Sequence, residues 1–182
     1  DNLSILEHYM YNIELSKSFY YLLQNLEIIL RNAINNELIK IESRWLHNDY
    51  FLEQQEINKI KKIKNSSNLT HDEIIASLDF GFYARLFDNK YERKIWHRII
   101  RKVFPNIEKY KRNRSYISGR IHKFRILRNR IAHHKPIYYW NNIPQYHDEI
   151  IEFIGWINKD MKEFTLQYDN FYEIVKTNIK EI

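Results

Sequence analysis

Phe19-Tyr20-Tyr21-Leu22-Leu23-Gln24-Asn25-Leu26-Glu27-Ile28-Ile29-Leu30-Arg31-Asn32-Ala33-Ile34-Asn35-Asn36-Glu37-Leu38 decides the fold class. Phe19, Leu22, Leu23, Leu26, Leu30, Ala33, Ile34 and Leu38 recur at steps of three and four. That period collects them on one side of an α-helix, whereas a strand facing a core would alternate every second residue. The pattern predicts a long helix over residues 4–41. Ser4 with Glu7 reads as a capping box at its start, and a kink near Tyr11 is compatible with the pattern.

The rest of the chain continues in the same way. Residues 53–64 read as a short charged helix ended by Asn65-Ser66-Ser67-Asn68. Thr70 with Glu73 is a second capping box, opening a helix through Leu78, with a bend at Gly81. Residues 91–104 are amphipathic and stop at Pro105. Ser115 reads as the cap of a helix over 115–133, closed by Pro136, which disfavours helix at Lys135. Tyr138 to Pro144 reads as a loop or short extended piece, followed by helices over 145–164 and 169–176. Only three Gly and three Pro punctuate 182 residues, too few for a strand-and-turn architecture. The expectation is an all-α, single-domain helical bundle over 1–182.

Composition narrows the function classes. Fourteen Tyr, ten Phe and four Trp argue for a packed core rather than disorder. With no Cys, disulfides and thiolate metal sites are excluded. No apolar run reaches the ~20 residues that span a bilayer, and no signal peptide is visible, so the expectation is a cytoplasmic protein with no membrane partner. The chain starts at Asp1, which leaves an upstream segment open. The net charge of +6 is compatible with a polyanionic partner without identifying one.

The helix over 115–133 carries the chemistry. Ile117, Ile121, Phe124 and Ile131 form its apolar stripe, and Arg128 fills the gap four after Phe124 and three before Ile131. A guanidinium on a core-facing row is costly unless paired or set beside a polar cleft. Asn129 and His133, four apart, sit on neighbouring turns. Arg128 and His133 lie about 140° apart on an ideal helix, flanking a common edge. These groups suit RNA cleavage by its own 2′-hydroxyl. A histidine moves the proton at the 2′- or 5′-oxygen, and an arginine grips the phosphate through two donors. From spacing alone, the same residues also read as a surface arginine and a C-terminal histidine complementing the helix dipole.

The segment Leu127-Arg128-Asn129-Arg130-Ile131-Ala132-His133-His134-Lys135-Pro136-Ile137 resembles the signature of the Abi-like (abortive infection) proteins of the HEPN superfamily. Leu26-Glu27-Ile28-Ile29-Leu30-Arg31-Asn32-Ala33-Ile34 resembles that family's first helix. Residues 74–83 with Leu86-Phe87, Trp96 and Phe104-Pro105 resemble its middle. The resemblance implies a HEPN-like bundle with metal-independent endoribonuclease activity and an Arg-polar-x3-His motif at Arg128, Asn129 and His133. It also implies a homodimer or higher homo-oligomer with two motifs facing one cleft, and a role in phage defence or a toxin–antitoxin system, with a protein antitoxin, an RNA antitoxin or none left open. Lys135 departs from the acidic residue expected there, a change that strengthens phosphate binding or loses a local salt bridge.

Around this centre, Glu27, Arg31, Asn32 and His134 are candidate supporting residues. For Glu27 and Arg31 the alternative is an exposed i, i+4 ion pair. Arg125, Arg130 and Lys135 are candidate RNA-backbone contacts. Tyr138, Tyr139 and Trp140 read first as aromatic core and second as a surface for stacking unpaired bases. The remaining histidines show no paired metal-ligand spacing, so no metal and no cofactor are expected. Two functions compete. One is an endoribonuclease toxin or defence effector acting on RNA. The other is a catalytically silent helical module that binds RNA or protein through the same basic face.

Overall fold

The structure, a computed structural model, describes residues 2–66 and 68–179. Among them every regular element is helical and none is a strand. In chain order these are α1 (Asn2–Ile41), α2 (Gln54–Ser66), α3 (His71–Ser77) and α4 (Phe80–Arg85). A 3-10 turn (Asn89–Tyr91) and a π turn (Glu92–Trp96) lead into α5 (His97–Val103). Then come α6 (Arg114–Ala132), α7 (Ile143–Ile157), α8 (Lys159–Gln167) and α9 (Phe171–Ile179). The all-α expectation holds. The chain divides into two compact units, Asp1–Ile29 with Arg120–Ile182, and Leu30–Gly119.

In the first unit the apolar stripe of α1 is buried as its spacing requires: Leu15, Phe19, Leu22 and Leu26 are fully covered. Ile121, Phe124 and Leu127 of α6, Ile150, Phe153 and Ile154 of α7 and Phe171 of α9 complete this core. Each such side chain contributes about 1.5–3 kcal/mol by leaving water. Phe19 meets Phe171 edge-on at 5.3 Å, and Phe124 meets Phe153 edge-on at 5.4 Å. The Glu149 carboxylate on α7 receives Arg120 at 2.5 Å and Lys123 at 2.7 Å, both from α6. His147, only 3% exposed, stacks on Phe171 at 4.3 Å. Its Nε2 lies 2.7 Å from the Asp169 carboxylate and its Nδ1 lies 2.9 Å from that of Asp148.

The second unit holds the rest of α1, α2 to α5 and the start of α6. Trp96 donates its indole N–H to the Leu86 carbonyl at 2.6 Å and stacks on Phe87 at 3.9 Å. Glu56 is fully buried yet triply satisfied, by Tyr91 at 2.6 Å, Arg85 at 2.8 Å and Lys90 at 3.2 Å.

Several boundaries differ from expectation. Helix α1 begins at Asn2, upstream of Ser4, and runs unbroken past Tyr11, so the Ser4–Glu7 box does not start it. The Thr70–Glu73 box is present as read. The next bend comes at Asp79, whose side chain accepts the Phe82 N–H and starts α4, with Gly81 inside that helix. Asn113, not Ser115, caps α6, its Oδ1 accepting the Tyr116 N–H at 2.8 Å. The helix expected over 145–164 is two helices. Asn158 adopts an extended conformation between them and its side chain caps α8. Ser67, part of the expected stop after α2, lies outside the described residues.

Candidate active site

Arg128 and Asn129 sit on the last turns of α6, and His133 is the first residue beyond it. The apolar stripe is completed by Leu127, 0% exposed, so Arg128 does not occupy the core row. The steps 121, 124, 127 and 131 close the stripe without it. Arg128 instead lies half-buried beside the row, while Asn129 and His133 are exposed. Among the described residues, the side chains of these three make no hydrogen bond or ion pair. A half-buried guanidinium without a carboxylate suits an anion from outside.

The end of α6 is built by a specific turn. His134 adopts φ 54°, the left-handed conformation that is costly for most side chains, though histidine enters it more readily than most. Its N–H donates to the Ile131 carbonyl at 2.9 Å, and the Lys135 N–H donates to the Arg130 carbonyl at 2.9 Å. Together these bonds close a Schellman motif that satisfies the last carbonyls. The His133 N–H still bonds back to the Asn129 carbonyl at 3.1 Å, which fixes His133 one turn above Asn129.

Arg130 is engaged locally. Its Nε donates to the Pro136 carbonyl at 2.7 Å, and its Nη2 donates to the Tyr139 hydroxyl. It also lies over the rings of Tyr139 and Trp140, at 5.5 and 5.3 Å. Arg125 is half-buried and Lys135 exposed, both open to a ligand. Glu27 is half-buried in the first unit. Arg31 and Asn32 belong to the second, where Arg31 Nε donates to Asn32 Oδ1 at 3.4 Å.

Two features were not anticipated. Tyr138 and Tyr139 do not form core. They are 37% and 53% exposed. In addition, a groove of about 540 Å³ runs beside the motif, lined by Tyr9, Ile13 and Tyr20 of α1 with Ile131, Ala132 and His134. A further signal is visible in the sequence only when charge is read over a long window. No acidic residue lies between Glu108 and Asp148, whereas Lys109, Lys111, Arg112, Arg114, Arg120, Lys123, Arg125, Arg128, Arg130 and Lys135 do. Among the described residues, no cluster of three or more His, Asp or Glu side chains is placed to hold a metal. No helix there is long and apolar enough to cross a membrane.

No protein-family model, curated protein or solved structure matches the chain. The resemblance to Abi-like proteins rests on the spaced residue blocks themselves.

Proposed function

We propose that the protein is a metal-independent endoribonuclease of the HEPN, Abi-like type, acting on cytoplasmic RNA as a toxin or phage-defence effector. The observation that carries this reading is the end of α6. Arg128, half-buried with no internal partner among the described residues, and Asn129, exposed, stand on its last turns, and His133, exposed, follows directly, all on an acid-free basic segment. In the proposed reaction the 2′-oxygen attacks phosphorus and the bond to the 5′-oxygen breaks. His133 moves the proton at one of these oxygens. Arg128 stabilises the charge that builds on the non-bridging oxygens, and Asn129 orients the phosphate or the imidazole. The nucleophile belongs to the substrate, so a metal has no necessary task in generating it.

Acid and base are most simply supplied by two histidines, which supports a two-fold homodimer bringing two copies of His133 to one cleft. The exposed apolar residues of α1 (Ile5, Leu6, Tyr9 and Met10) and the adjoining groove support that assembly. Where an antitoxin exists, RNA or protein, it would restrain the enzyme. Glu27 and His134 act in support, and Arg125, Arg130 and Lys135 meet the RNA backbone. The test is incubation of purified protein with unstructured RNA in EDTA. Cleavage by the wild type that disappears in His133→Ala supports the reading. Tight RNA binding without cleavage in every RNA tried replaces it with a silent binding module.

A further inference from the structure

Ile137 and Trp140 anchor a tight turn directly after the motif. Ile137 is fully buried, and its N–H donates to Asn12 Oδ1 of α1 at 2.7 Å. The Trp140 N–H donates to the Ile137 carbonyl at 3.0 Å, closing a four-residue turn, and Trp140 packs on Tyr146 at 5.5 Å. The two corner positions are therefore Tyr138 and Tyr139. Such corners are ordinarily small or polar, because they face water. Here they carry two large rings, 37% and 53% exposed, at a cost that burial does not repay.

The rings are held in place. Tyr138 and Tyr139 meet edge-to-face at 5.5 Å and 90°, and the His8 ring lies 5.2 Å from Tyr138. Arg130 bonds the Tyr139 hydroxyl and lies over its ring. Exposed aromatic faces that lose little rotamer freedom on binding are what base stacking uses. The surrounding charge selects a polyanion: the acid-free run that contains Arg128, Arg130 and Lys135 also contains this turn.

We propose that Tyr138 and Tyr139 form a stacking platform for unpaired bases of RNA, next to the scissile phosphate held at Arg128 and His133. The proposal rests on the ribonuclease reading for its position and extends it to a substrate class, single-stranded RNA. A duplex hides its base faces and gains nothing from the platform.

The test is binding, so it does not depend on turnover. A fluorescein-labelled, unstructured 2′-O-methyl RNA 12-mer is titrated by anisotropy with the full chain, alone and annealed to its complement. The single strand should bind more tightly. Tyr139→Ala should weaken single-strand binding about tenfold and leave duplex binding unchanged, whereas Tyr139→Trp should retain wild-type affinity. Tyr138→Ala should act in the same direction. Thermal melts monitor the fold of each variant. Should Tyr139→Ala fail to fold, Tyr138→Ala and the single-strand preference of Tyr139→Trp decide. Equal single-strand affinity in the wild type and the folded alanine variants overturns the platform. So does loss of self-association in those variants without loss of RNA binding, which assigns the rings to a protein interface. If RNA is cut with His133 dependence but these variants bind as wild type, the platform alone fails. If stacking-dependent binding holds and no RNA is cut, the platform stands and the ribonuclease reading fails.

Discussion

His134 holds a left-handed backbone conformation at the point where the chain leaves α6. A side chain there costs roughly 1–2 kcal/mol relative to glycine, and a β-branched one costs more. His134→Gly should therefore raise the melting temperature by a few degrees, while His134→Val should lower stability by about 1–2 kcal/mol, both read by denaturant titration. Equal stability in the two variants would show that the turn is not strained. At Arg128 the proposed grip needs a planar fork. Arg128→Lys keeps the charge but not the geometry, so kcat/KM on RNA should drop at least a hundredfold with the fold intact by circular dichroism. The placement of Arg128 and Asn129 on one helix, with His133 a turn beyond Asn129, was legible in the sequence because the helical period carries through them. The burial of Arg128 was not, because Leu127 satisfies the same stripe and the period tolerates either position. The exposure of Tyr138 and Tyr139 was also misread, since an aromatic run gives no sign of which residues sit at turn corners.

At the scale of elements, the clearest liability is the buried Glu56 on α2. Burial pushes its carboxyl up, but hydrogen bonds from Tyr91, Arg85 and Lys90 outweigh that and hold it below the ordinary 4.5. A carboxyl depressed in the folded state contributes stability above its unfolded pKa, and this is lost as pH falls through the folded value. The contribution of Glu56 should thus be constant near neutrality and fade below about pH 4.5. Glu56→Gln should cost about 2–3 kcal/mol at pH 7, less than for a fully sealed pair because Arg85 and Lys90 reach solvent. The penalty should shrink in melts at pH 3, and a penalty independent of pH would contradict the assignment. The existence of most helices was legible from period alone. Their breaks were less so. Asn158 and Asp79 start new helices through single side-chain caps, a signal easily outweighed by continuous apolar spacing on both sides.

For the whole molecule, the proposed reaction has one motif histidine for two proton transfers, and the groove lined by Tyr9, Ile13 and Ile131 is where the proposed second copy would seat. Light scattering at micromolar concentration should give twice the chain mass. Tyr9→Glu with Ile13→Glu should return a monomer that has lost RNA cleavage. A wild-type monomer with full activity would sink the shared site. The most direct test of the central claim is the chemistry of the cut ends. Unstructured RNA is incubated with the protein in EDTA and the products are resolved by mass spectrometry. Attack by the 2′-hydroxyl with proton transfer at His133 predicts 2′,3′-cyclic phosphate and 5′-hydroxyl ends, with no product from His133→Ala or from RNA methylated at the 2′-oxygen of the cut site. A strict need for a divalent metal, or 5′-phosphate and 3′-hydroxyl ends, would contradict it.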